Sequence, residues 1–149
     1  MGLLSLLLRN PAAFILLVIP LLYSVIFHEL AHGLVASWFG DDTAKNAGRL
    51  SLNPMSHLDP IGTLMLFVVG FGWAKPVPVD YYRLNHTRFG LIAVSLAGCA
   101  TNILLAMAAI FLLQFPFINS DSLFLSILTI VARINIILGA FNLIPIVSR

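Results

Sequence analysis

The sequence predicts an all-α integral membrane protein with about three full transmembrane helices. To these it adds a short re-entrant or fourth membrane segment and a small extended strand. Three observations carry this prediction. Of 149 residues, 60% are hydrophobic and only 9% are charged, whereas a soluble domain carries about 25% charge. Three apolar runs are each long enough, at about 1.5 Å of rise per residue, to cross a bilayer. The polar residues gather in two loops between the first and second of these runs. A formal net charge of +2, spread over dispersed basic residues, points to no nucleic-acid partner. Cys99 is the sole cysteine, so no internal disulfide can form, and it reads as a small packing residue.

The elements follow in order. Residues 1–9 form an apolar lead-in at the interface. No basic region precedes Leu3 to Leu8 and no clean small-residue cleavage site follows, so they do not read as a cleaved signal peptide. Asn10 and Pro11 have the chemistry of a helix N-cap followed by proline at the first helical position. The first span runs from Ala12 to Phe39, with a kink expected at Pro20, and stops at Gly40-Asp41-Asp42. Gly33, Ala36 and Ser37 are small enough to permit close approach of a neighbouring helix. Asp41 to Pro60 is a polar connection with turn signals at Asn53-Pro54 and Asp59-Pro60.

Ile61 to Gly72 is apolar but short for a span, so a re-entrant segment is the alternative to a fourth crossing. In Trp73 to Val79, the alternating prolines leave an edge strand or a polyproline-like stretch. After a second polar loop containing His86, the second span runs from Phe89 to Phe115. It is interrupted by the small residues around Gly98, and Asn102 within it requires a polar partner. The third runs from Ser122 to Pro145, with Asp121 at its N-cap. Its Arg133, Asn135 and Asn142 are expected to face protein or a water-filled cavity rather than lipid. Lys45, Arg49, Lys75, Arg83 and Arg88 lie between the first two clear spans. With a re-entrant 61–72 they favour a cytoplasmic side.

The chemistry concentrates in the first span. Glu29, the chain's only glutamate, lies between His28 and His32 in the order H-E-x-x-H. Residues four apart share a helix face, so both histidines can address one metal ion, and Glu29 beside them can take a proton from water at that metal. The motif lies about 12 Å from the polar end of its helix, inside the membrane but within reach of water. The bland alternative is two buried histidines bonded to backbone or Asn, with Glu29 paired to Arg133. Burying the chain's one glutamate without a purpose is costly, which favours zinc. A catalytic zinc usually takes three protein ligands. His57 and Asp59 form an H-x-D that could approach, against the simpler reading that Asp59 caps a turn and His57 is solvated. Asp41 and Asp42 read as helix terminators meeting headgroups. Asn142, beside Pro145, could hold a substrate carbonyl or a developing oxyanion, or could satisfy a backbone group freed at a kink.

Taken in order, these segments resemble the site-2 protease family of intramembrane zinc metallopeptidases. The resemblance rests on His28-Glu29-Leu30-Ala31-His32-Gly33, Asn53-Pro54 through Asp59-Pro60-Ile61-Gly62-Thr63, and Gly70 through Val79. It continues with Ala97-Gly98, Thr101-Asn102 and Phe141-Asn142-Leu143-Ile144-Pro145, and so covers nearly the whole chain. Neither polar loop has room for a PDZ insertion, which is similar to the compact branch. The resemblance implies a single membrane-embedded peptidase domain over 1–149, with His28 and His32 as ligands of Zn2+ and Glu29 as general base and acid. Asn142 would position substrate or stabilise the tetrahedral intermediate, and Trp73, Lys75, Pro76 and Val77 would dock an unwound substrate. It implies partners that are membrane-anchored proteins, a lipid bilayer and, as a further option, a homo-oligomer. It also implies a multi-pass location, the cell membrane in a prokaryote. The family pattern continues N-x-x-P-x-P-P-x-D-G, its Asp being the third zinc ligand. Counted from Asn142 that Asp would fall one position beyond Arg149, and Val147-Ser148-Arg149 depart from the pattern. The expectation is therefore a peptidase domain incomplete at its C-terminus. The alternative is an inactive or truncated pseudoprotease that acts as a membrane binding protein.

Overall fold

A computed structural model describes residues 2–84 and 88–147, and the side chains among them except at 119 and 145–147. His86 lies outside the described residues. A short helix α1 (Leu3–Arg9) leads into α2 (Pro11–Trp38), which is continuous through Pro20. Asn10 caps α2, its side chain accepting from the Ala13 N–H at 3.1 Å, with Pro11 at the first helical position. Two short turns follow, α3 (Thr43–Asn46) and a 3₁₀ turn over Pro54–Ser56, before α4 (Pro60–Val68). Helix α5 (Arg88–Leu112) returns along α2. After α6 (Pro116–Asn119), α7 (Ser122–Val147) packs against both. Asp121 caps its start, accepting from the Leu123 and Phe124 N–H groups at 2.8 and 3.2 Å.

Among the described residues the fold is all-helical, and α2, α5 and α7 are long and apolar enough to cross a membrane. The side chains are sorted accordingly. Large apolar groups such as Leu104, Met107, Phe111 and Ile137 face outward, whereas the helix contacts bury Ala97, Gly98, Ala106, Ala109, Ala132 and Gly139. Lipid solvates the first set, and small residues let backbones approach closely. The largest fully buried side chains include Asn102, Asn135, His57 and Asp41 beside Ile26 and Val94. This is a multi-pass membrane protein.

The 61–72 segment folds back on itself as a hairpin, the geometry of the re-entrant alternative. Helix α4 carries Phe67 to within 5.9 Å of Phe14, near the start of α2. The chain then turns at Gly70, whose φ of 82° suits glycine, and runs back along α4. A methyl on Gly72 would meet Leu66 Cβ at 2.7 Å, and one on Gly62 would meet the Trp73 ring at 2.9 Å. Both flanks return to one place on α2. Gly33 leaves room for Leu50 and Val77, which a methyl there would meet at 2.6 and 2.9 Å. The small residue predicted to admit a helix therefore admits the two loop flanks. The expected strand reduces to an isolated antiparallel bridge between Leu58 and Ala74, with the Lys75 N–H on the His57 carbonyl at 2.8 Å. The prolines at 76 and 78 remove the N–H groups that a longer ladder would need.

Two loop assignments change. Asp41 meets no headgroup. It is fully buried and accepts from the Thr43 N–H (3.0 Å), the Thr43 hydroxyl and the Asp80 N–H (2.7 Å), tying the end of α2 to α3 and to the second polar loop. His57 is buried rather than solvated, with Nε2 2.7 Å from the Ser51 carbonyl.

Candidate metal centre

Helix α2 presents His28 and His32 on one face, as the four-residue spacing requires. Their Nε2 atoms face each other at 3.1 Å, with the rings edge to face. His32 Nδ1 lies 2.7 Å from the Val94 carbonyl of α5, which can only accept, so Nδ1 carries the proton and Nε2 a free lone pair. His28 Nδ1 lies 2.5 Å from Asn102 Oδ1, also on α5. Two bare nitrogens this close repel unless a cation lies between them. Nitrogens each about 2.0–2.1 Å from one tetrahedral zinc lie about 3.3–3.4 Å apart, close to the separation found. Both rings also have the oxygen partner on the other nitrogen that metal-ligating histidines almost always have. The pair therefore fits a zinc ion.

Gly98 makes the room for this pair. A methyl at that position of α5 would stand 2.5 Å from His28 Nε2 and 2.6 Å from His32 Nε2, where metal and water need space. The small residues around Gly98 form a helix contact, and the surface that meets Gly98 is a pair of imidazoles.

Glu29 turns to a different neighbour. Its Oε2 accepts from the Val77 N–H at 3.0 Å, so it is held by the returning arm of the hairpin. It does not pair with Arg133, which lies exposed on α7. Of the three polar residues expected to face protein or a water-filled cavity, Asn135 is fully buried, and Arg133 and Asn142 are exposed. Val77 is buried, Trp73 is 48% exposed, and Lys75 and Pro76 are exposed. The Lys75 and Pro76 carbonyls accept from Arg49 at 2.9 and 3.4 Å. Asn142 lies about two turns beyond Asn135 on the same face of α7. It is exposed, and its amide donates to the Leu138 carbonyl at 2.8 Å.

The His57–Asp59 pair supplies no third ligand. Asp59 caps α4, accepting from the Gly62 N–H at 2.7 Å, and His57 is occupied at Ser51. Among the described residues no group of three or more His, Cys, Asp or Glu side chains gathers into a metal site.

No family model matches the chain, and no solved structure matches it. Curated relatives do. "Putative zinc metalloprotease YwhC" of Bacillus subtilis (strain 168) is 43% identical over 137 residues, covering 87% of this chain and 63% of that protein. "Putative zinc metalloprotease Rip2" of Mycolicibacterium smegmatis is 29% identical over 137 residues, covering 89% of this chain and 53% of the relative. The Mycobacterium tuberculosis (strain H37Rv) Rip2 is 35% identical over 101 residues, covering 63% of this chain and 38% of the relative. The chain thus spans between about one third and two thirds of the length of these relatives. Three membrane-crossing helices and a histidine pair fit for zinc belong to a chain that is similar, over most of its length, to bacterial proteins bearing a zinc-metalloprotease name.

Proposed function

We propose that the chain carries the metal-binding and proton-transfer part of an intramembrane zinc endopeptidase that cuts membrane-anchored proteins. The observation that carries this is the pair of Nε2 lone pairs 3.1 Å apart, each fixed by an oxygen on the opposite ring nitrogen. His28 and His32 would hold Zn2+, and when bound it would polarise the scissile carbonyl and make water a stronger nucleophile. Glu29 takes the proton from the attacking water and returns it to the leaving amine. Val77, at the end of the arm that starts at Trp73, holds Glu29 through its N–H, which supports a role for this arm in presenting an unwound substrate. Pro76 and Pro78 bring no N–H, so a substrate pairing at them would donate to carbonyls. Asn142 gives one amide N–H to the Leu138 carbonyl, and its second N–H would position substrate or stabilise the tetrahedral intermediate. A third metal ligand, and any partner copy, would come from outside the described residues.

The alternative, a non-catalytic membrane binding protein, is favoured by the gathering of only two such ligands among the described residues. One experiment separates the two. Purified protein should hold about one zinc per chain, and His28→Ala should lose it. Glu29→Gln should keep zinc and abolish cleavage of a membrane-anchored substrate. Zinc well below one per chain with no proteolysis selects the alternative, and cleavage retained by Glu29→Gln removes the peptidase assignment.

A further inference from the structure

We propose that Asn135, on α7, is a positioning residue that selects which ring nitrogen of His28 is free to bind metal. The argument starts at a group that cannot donate, the Val131 carbonyl. Asn135 Nδ2 lies 2.8 Å from it and 2.9 Å from Ser24 Oγ, so this end of the amide must be the nitrogen. Asn135 Oδ1 then points the other way and accepts from Asn102 Nδ2 at 2.7 Å. That fixes Asn102 in turn. Its Oδ1 faces His28 Nδ1 at 2.5 Å, so Nδ1 must carry the proton and Nε2 the lone pair. Ser24, Asn102 and Asn135 are all buried, with Asn102 and Asn135 fully so, and water offers them no other partner. Orientation passes from α7 through α5 to α2: a flip of Asn135 would set its N–H groups against the Asn102 NH2, and the flip of Asn102 that relieves this would put an N–H against His28 Nδ1 and favour the proton on Nε2. His32 needs no relay, because the Val94 carbonyl fixes it directly.

The inference rests on the metal-binding reading of His28 and His32, and the test separates the two. Zn2+ affinity is measured for the full chain in detergent, and the His28 tautomer is read separately by 15N NMR on metal-free protein labelled at histidine. Asn135→Leu should weaken Zn2+ by about tenfold and raise the Nε2–H population of His28. In an Asn102→Asp background the oxygen facing His28 needs no orienting, because a carboxylate accepts through both oxygens, while the second oxygen stands against Asn135 Oδ1. In that Asn102→Asp background, Asn135→Leu should cost less than about twofold. A residue that merely supports the fold would cost the same in both backgrounds, and that result overturns the proposal. So does an unchanged tautomer in Asn135→Leu. Absence of Zn2+ binding in wild type overturns the metal reading instead, leaving the tautomer shift to decide the relay.

Discussion

At the scale of single residues, the centre depends on what is left out as much as on what is present. Glycine inside a helix costs about 1 kcal/mol relative to alanine, so Gly98→Ala should favour α5 taken alone. Yet the added methyl would stand 2.5 Å from His28 Nε2, and the ring has little freedom to retreat because Asn102 holds its other nitrogen. Gly98→Ala should therefore lose Zn2+ affinity by at least about tenfold, as metal-site partners do when disturbed, while thermal unfolding in detergent stays near wild type. Metal titration beside a melting curve checks it, and undiminished affinity would show that the imidazoles do not need this space. H-E-x-x-H was legible in the sequence because the α-helical repeat alone aligns residues four apart. Gly98 facing the imidazoles was not, because only the packing of α5 on α2 decides which small residue meets them.

Elements are joined here largely by backbone groups captured by side chains. Asp41 sits where α2, α3 and the second polar loop meet. Burial by itself would raise its pKa, but hydrogen bonds from the Thr43 hydroxyl and N–H and the Asp80 N–H, with the nearby charge of Arg83, outweigh it. The carboxyl titrates below its usual value of about 3.8. A folded pKa below the unfolded one means that the stabilisation is complete above about pH 3.8 and is lost as the pH falls through the lowered value. Asp41→Asn replaces one acceptor oxygen by an NH2 and sets donor against donor at Thr43 or Asp80. We expect it to lower stability near neutral pH by about 1–3 kcal/mol and to flatten the acid limb of a plot of melting temperature against pH. A variant with the wild-type acid limb would assign that limb to other carboxylates. The sequence marked Asp41 as the end of a helix, which local turn chemistry suffices to show. Its burial depends on residues 80–84 folding back from far along the chain.

Among the described residues, three helices are long and apolar enough to cross a membrane, and a hairpin packs beside the first. Because both hairpin flanks return to Gly33, we expect the loops after α2 and before α5 to share one side of the membrane, with the α5–α7 connection on the other. Single cysteines placed at the exposed positions Asn46, Tyr82 and Ser120 test this. The native Cys99 is buried at 2% exposure and stays silent to a membrane-impermeant thiol reagent. Asn46→Cys and Tyr82→Cys should react from the same face and Ser120→Cys from the opposite one. Labelling of 46 and 82 from opposite faces would turn the hairpin into a fourth crossing.

The sequence by itself determined the solvent, the number of long spans and the H-E-x-x-H face. Composition, run length and helical period are local quantities that need no knowledge of neighbours. It left open whether residues 61–72 cross or return, whether His57 and Asp59 approach the metal, and what Asn102 and Asn135 bond to. Tertiary structure decided these. The hairpin returns because Gly62 and Gly72 let its two arms touch, and His57 and Asp59 stay away because Ser51 and Gly62 hold them. The two asparagines meet because α5 and α7 place them at one depth, where Asn102 Nδ2 donates to Asn135 Oδ1. Which groups share a buried space is a property of packing between distant segments.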